Sequence, residues 1–167
     1  MKRTKPLTMA EAKTRAGALC SKCEQCTSDL LKKFSTWGLT QSQAHQLIEE
    51  LERLNWVNDF RYARAFAHDK LMFSGWGKAK ITAYLYARRL PREAIEKAFD
   101  EISAEDYTEI AERVMKAKIK ALHSSPDDYE TRVKLMRFGM GRGFEASLVA
   151  TVIDGIRRRQ KEGDEEE

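Results

Sequence analysis

Apolar residues recur every three or four positions through most of the chain, in short runs broken by glycine, proline or a polar cap, which is the spacing of amphipathic helices. A first helix is predicted over 8–20, with Ala12, Ala16 and Leu19 inward. A second follows over 23–37, with Cys26, Leu30 or Leu31, and Phe34 inward, Lys32 and Lys33 at its outer end, and Gly38 as the stop. Thr40 and Gln43 make a capping-box pattern ahead of Ala44, Leu47, Ile48 and Leu51. The scheme then returns. Asn58 caps a helix whose first turn holds Asp59 and whose stripe is Phe60, Ala63, Phe66 or Ala67, and Leu71, ended by Gly75 and Gly77. A helix over 78–89 buries Ile81 and Tyr84 or Leu85, and Pro91 starts a third with Ile95, Phe99 and Ile102 inward.

The last third repeats it once more. Ser103 caps a helix to about Leu122, carrying Tyr107, Ile110, Ala111, Val114 and Ala117 or Lys118 on one side. Ser125 and Pro126 open the next, burying Val133 and Met136 or Phe138; past Gly141 and Gly143, Phe144 leads into a final helix with Leu148, Val152, Ile153 and Ile156, closed by Arg157, Arg158 and Arg159. Leu39, Leu90 and Phe144 each precede the third helix of a triplet, and Leu51, Ile102 and Ile156 each close it, at offsets of 51 and then 54 residues. Units of this period cannot bury their faces alone and stack on neighbours. The expected fold is therefore all-α: three tandem three-helix repeats, 8–54, 55–102 and 103–160, forming an elongated, curved helical row, with a disordered basic arm at 1–7 and an acidic tail at 161–167. An ordinary helical bundle with coincidental spacing is the competing architecture.

Composition supports helices. Of 167 residues only nine are Gly and three Pro, too few breaks for a strand-and-turn protein, and 42% hydrophobic with 34% charged suits a soluble chain. No run approaches the roughly 18–20 apolar residues of a membrane span, and the basic start is not followed by a signal-like apolar segment, so a cytoplasmic protein is expected. The net charge of +4 hides an asymmetry: residues 1–160 carry +8 and 161–167 carry −4. A basic body suits nucleic acid or an acidic protein surface, and the tail either competes for that surface or only solubilises. Cys20, Cys23 and Cys26, three apart, would share one face of a helix and are expected to pack as small hydrophobes. A zinc site needs a fourth ligand, and His45, His68 and His123 are scattered singly.

Candidate chemistry is thin. GWGKA at 75–79 lacks the P-loop spacing, GMGRGF at 139–144 has no strand before it, and both read as helix punctuation. No catalytic motif emerges, so no enzyme and no cofactor or metal are expected; a site assembled from distant residues would leave no such trace. The basic residues are more informative. Arg61, Arg64, Lys70, Lys78, Lys80, Arg88, Arg89 and Arg92 crowd the central unit, interleaved with Tyr62, Trp76, Tyr84 and Tyr86. Arg88 and Arg89, and Arg142 in the third unit, fall at equivalent turns. Stacked units would line such residues along one surface that attracts phosphates by counterion release. For any one residue a solvated face with i,i+4 partners, such as Arg92–Glu96 and Glu93–Lys97, explains it as well.

NDFRYARAF at 58–66, then Gly75 and Gly77, then Ile81, Leu85 and Leu90 in the spacing KI-x3-L-x2-RRL, resembles the RecX regulatory proteins of bacteria. Asp59, Arg61, Tyr62 and Ala63 stand at the family's D-x-R-[FY]-A positions. Asn58 stands where a first Asp is usual, Lys78 where Pro is common, and Arg89 where a turn Gly is. The resemblance implies three-helix repeats that bind RecA recombinase filaments on single-stranded DNA and limit ATP hydrolysis, strand exchange and filament growth, in DNA repair and recombination. It implies partners in RecA and single-stranded DNA, with double-stranded DNA as a further one, no membrane, and a monomer. Arg61, Arg64, Lys70, Lys78, Lys80, Arg88, Arg89 and Arg142 form the expected contact set. A general DNA- or RNA-binding helical repeat protein without a recombinase partner is the alternative.

Overall fold

The computed structural model describes residues 5–165, with side chains described through residue 162. The start of the expected basic arm and the end of the acidic tail lie outside these residues. Nine α-helices and no strand occur among the described residues: α1 (Met9–Cys20), α2 (Thr27–Thr36), α3 (Gln41–Arg53), α4 (Asp59–Met72), α5 (Lys78–Ala87), α6 (Arg92–Glu96), α7 (Ala104–Leu122), α8 (Tyr129–Gly141) and α9 (Ala146–Glu165). A 3-10 turn, Lys97–Phe99, extends α6. None is long and apolar enough to cross a membrane. The protein is all-α, and α9 continues through Glu165, into the segment read from sequence as tail.

Several boundaries follow from caps already written in the chain. Thr8 and Glu11 form a reciprocal capping box on α1, and Thr40 and Gln43 form one on α3. Ser103 accepts from the Asp106 amide at the head of α7, and Asn58 Oδ1 accepts from the Phe60 and Arg61 amides, both at 3.0 Å. The middle helix of each triplet ends alike. Gly38, Arg89 and Gly143 take left-handed φ values of 88°, 57° and 93°. The next residue, Leu39, Leu90 or Phe144, returns its amide to the carbonyl five positions earlier. These are Schellman closures, and their apolar following residue is buried in all three. The repeat markers of the sequence are thus helix stops.

The chain packs as two compact units. Unit one takes the residues through Ala65 together with Leu85–Ala98; unit two takes Phe66–Tyr84 together with the residues from Phe99 onward. In unit one α1 and α2 pack on α3 around Leu30, Phe34, Leu47 and Leu51, all fully buried, each contributing about 1.5–3 kcal/mol by leaving water. In unit two α7, α8 and α9 pack on one another around Met115, Leu135, Val149, Val152 and Ile156.

The structure departs from the sequence reading in places. Helix α1 stops at Cys20, so the three cysteines do not share a helical face: Cys20 ends α1, exposed Cys23 lies in the turn, and only Cys26 is buried, extended at the cap of α2. Burial pushes the thiols of Cys20 and Cys26 up. Phe60, expected inward, is exposed, while Ala63, Ala67 and Leu71 form the stripe. On α7 the expected Tyr107, Ile110 and Ala111 are buried, but Met115 follows them inward, with Val114 half-buried and Ala117 exposed. On α8 the inward face is Thr131, Leu135 and Gly139, with Val133, Met136 and Phe138 half-buried. A buried Thr defeats a hydrophobicity pattern; it is tolerated because Asp128 and Ser124 satisfy its hydroxyl.

The two glycine-bearing segments meet inside unit two. The amide of Gly77 donates to the Arg142 carbonyl at 2.8 Å, that of Ala79 to the Gly143 carbonyl at 3.1 Å, and that of Lys78 to the Tyr107 hydroxyl at 3.0 Å. The first amides of α5, unpaired within any helix, are thereby satisfied by protein groups. Tyr107 in turn donates to Glu145 at 2.9 Å; burial, reinforced by that carboxylate, pushes its phenol well above the ordinary value. A Cβ on Gly77 would fall inside the Gly143 carbonyl. Replacing Gly77 by Ala is therefore expected to cost about 3 kcal/mol or more in urea denaturation. Gly141→Ala, which meets nothing within 4 Å, should instead stabilise by roughly 0.5–1 kcal/mol.

Candidate nucleic-acid interface

The eight basic residues singled out by the sequence do two kinds of work. Arg61 lies on the first turn of α4 and is half-buried. Its Nε and Nη2 grip both oxygens of Glu24 at 2.7 and 3.2 Å, and Nη1 donates to Asn55 Oδ1 at 2.8 Å and, with Nη2, to the Asn55 carbonyl. The hydrogen bond it donates to the Glu24 carboxylate holds its guanidinium above the usual range. Asp59 beside it accepts from the Thr27 amide at 2.9 Å. Cys26, in the cap position of α2, supplies no side-chain cap bond, so a carboxylate from α4 caps α2 in its place. The N-D-F-R run thus locks the turns flanking α2 and α4 within unit one.

Arg88 is similarly engaged. Its Nε donates to Asp29 Oδ2 at 3.0 Å, with 24% and 28% of the two side chains exposed. Burial pushes the Asp29 carboxyl up, but the hydrogen bond and charge of Arg88 outweigh it and leave the group below its ordinary value. Arg89 is exposed in the left-handed position that closes α5, a conformation costing a side-chain-bearing residue about 1–2 kcal/mol. Arg64 is exposed on α4. Arg142, in unit two, donates from Nη1 to the Ser74 carbonyl at 2.8 Å and lies 5.2 Å from the Phe138 ring.

The lysines form a different kind of site. Lys70 Nζ lies 5.2 Å and Lys80 Nζ 4.4 Å from the centre of the Trp76 ring. Phe66 and Tyr84 stack at 4.6 Å, only 7° from parallel, and both meet Trp76 edge-on. Lys78 does not join them; its ammonium sits 4.5 Å from the Tyr107 ring. A half-buried Trp with two ammonium groups over it presents cations beside an aromatic platform, the pairing that holds phosphates next to stacked bases. The turn Gly75–Trp76–Gly77 places the indole there, because the Trp76 amide donates to the Lys70 carbonyl at 3.0 Å.

Unit two therefore brings Lys70 and Lys80 together around Trp76 and sets Lys78 and Arg142 apart from them; Arg61, Arg64, Arg88 and Arg89 belong to unit one. The partners Glu24 and Asp29 escaped the sequence reading, since bonds between residues 37 and 59 positions apart follow no local spacing, and Asn55, six residues before Arg61, lies in the turn outside the helix and so outside its i,i+4 spacing. Phe66 and Tyr84, each read as one of two core choices, are the platform members that helical patterning supplied. The glycine turns are no phosphate cradles, because their amides are spent on protein carbonyls and Tyr107.

Comparison with known proteins adds the following. Residues 58–98 match the family model described as RecX, second three-helix domain, and residues 104–153 match RecX, third three-helix domain. The regulatory protein RecX of Ralstonia nicotianae is 26% identical over 153 residues, 92% of either chain. That of Ralstonia pickettii is 26% identical over 152 residues, 91% of this chain and 92% of its own. The crystal structure of RecX from Lactobacillus salivarius superposes with a TM-score of 0.76 at 16% identity, over 88% of this chain and 95% of that one.

Replacing Arg88 with Met is expected to cost about 1–2 kcal/mol, intermediate between exposed and buried pairs. The sign with pH is fixed. Because the folded Asp29 carboxyl is depressed, the stabilisation is present above the ordinary carboxylate pKa of about 3.9 and lost as pH falls through the folded value. Denaturant curves of the native chain and R88M should therefore converge on acidification.

Proposed function

The chain belongs to the RecX family of regulatory proteins, and on that premise we propose that it binds RecA recombinase filaments on single-stranded DNA and limits their ATP hydrolysis, strand exchange and growth. The observation that carries this reading is the Lys70–Trp76–Lys80 cluster, a cationic and aromatic surface in the part of the chain that the second domain model matches. Such a platform takes single-stranded nucleic acid without regard to sequence, as a filament demands. Lys78 in the same unit, and Arg64 and Arg89 in the other, are further contacts, while Arg61, Arg88 and Arg142 hold turns within their own units. Regulation then arises from tighter binding to one filament state than to another, with no reaction or cofactor of the protein's own. On this reading the protein acts as a cytoplasmic monomer, with double-stranded DNA as a further partner.

The same cluster favours one other reading, a general nucleic-acid-binding helical protein without a recombinase partner. DNA-dependent ATP hydrolysis by RecA separates the two. Inhibition is expected at protein concentrations that leave free oligonucleotide unbound; its absence there would leave only the second reading. K70E/K80E should weaken inhibition by about tenfold or more and lower the salt dependence of binding by about 1.4 in log–log slope, two phosphate contacts on a single strand. A circular-dichroism melt of the double variant checks that the helices survive.

A further inference from the structure

The end of α4 and the adjoining faces of α7 and α8, all within unit two, enclose an open groove of about 570 Å3. Its floor is small and apolar, made by Gly75, Val114, Ala117, Ala121 and the Phe138 ring. Met72 and Phe73 form the lip, and Phe73, 81% exposed, is the most exposed large hydrophobic side chain among the described residues. A lone exposed aromatic is ordinary, but one beside a second exposed apolar side chain at the edge of an apolar groove marks a docking surface.

Its charge is one-sided. Arg113, Lys118 and Arg142 line the groove, and among the described residues no acidic side chain does. Two of the cations are held before any partner arrives: Arg113 Nη2 donates to the Met72 carbonyl at 2.6 Å and Arg142 Nη1 to the Ser74 carbonyl at 2.8 Å. Lys118 and Arg142 also rest 5.1 and 5.2 Å from the Phe138 ring. A guanidinium carries five N–H donors, so each arginine keeps others for a carboxylate while its position is already fixed, which lowers the entropy lost on binding.

We propose that this groove docks an acidic amphipathic helix of a partner protein, its apolar stripe laid on the floor against Phe73 and its Asp or Glu side chains meeting Arg113, Lys118 and Arg142. The wall supplied by α7 runs from residue 113 to 121, about 12 Å of helix, enough for two turns of a partner with apolar anchors at i, i+3 or i+4, and i+7. A phosphate backbone would meet the cations but gain nothing from the floor, so a peptide fits better than a nucleic acid. The groove uses neither Trp76 nor its two lysines, and the inference stands apart from the recombinase reading.

Fluorescence anisotropy on the full chain tests it, with a labelled helical peptide of about 14 residues carrying Leu anchors between flanking Glu residues, a scramble of equal composition, and labelled oligothymidylate. The amphipathic peptide is expected to bind about tenfold more tightly than the scramble. F73A and A117E, both at exposed positions, should each weaken it about fivefold or more, and F73A should bind oligothymidylate like the native chain. Equal binding of the scramble would reduce the surface to bare charge and overturn the proposal. So would unchanged peptide binding by both variants, displacement of the peptide by oligothymidylate, or a self-association abolished by F73A, which would make a second copy the occupant.

Discussion

Where the backbones of Gly77 and Gly143 meet, neither residue carries a side chain to hold them apart, and the amides that open α5 reach straight across to the carbonyls that close α8. An open helix start is a set of unpaired donors, and an open helix end a set of unpaired acceptors. Here each is the other's solution, and Tyr107 supplies the remaining acceptor. The turn that displays Trp76 and the loop that delivers Arg142 to Ser74 depend on this junction. The two glycine segments that the sequence marks as helix punctuation form one backbone joint.

The basic residues divide by chemistry. The arginines at 61, 88 and 142 hold carboxylates or carbonyls of turns, using the planar fork that suits several fixed acceptors at once. The lysines at 70, 78 and 80 instead lie over aromatic rings. A compact, well-hydrated ammonium on a flexible stem keeps its charge outward while its methylenes cover apolar surface. The arginines thus shape turns within their own units, and the lysines leave their charge at the surface of unit two. Charge reversal at Arg88 would consequently disturb Asp29 and the fold along with any binding, which charge reversal at Lys70 or Lys80 avoids.

Helix count, three caps and the triplet stops were legible in the sequence, because caps and Schellman closures are local and use a few residue types at fixed spacing: Thr40 with Gln43, Asn58, Ser103, Gly38 before Leu39; α8, by contrast, is capped by Asp128 and not opened by Ser125 and Pro126. Where a helix depends on a distant group, the sequence misleads. Helix α2 starts at Thr27 and not near Cys23 because its cap is Asp59, far along the chain. The inward face of α8 was missed because Thr131 and Gly139, not its larger apolar residues, turn to the core. The candidate site was half visible: the lysines and Trp76 were named, but their convergence, and the commitment of three arginines elsewhere, arise only in three dimensions.

The bond between Arg88 and Asp29 spans 59 residues of chain, and the unit to which both belong is interrupted in sequence by Phe66–Tyr84. During synthesis α2 therefore emerges without its cap until Asp59 follows, and Asp29 waits longer still for its counter-ion. Such long-range closure slows folding relative to a helical hairpin of local contacts. The buried cluster of the first three helices is complete by Val57, so α1, α2 and α3 have their core before Arg88 is made, and the Arg88–Asp29 bond closes on helices that already have one another to pack against.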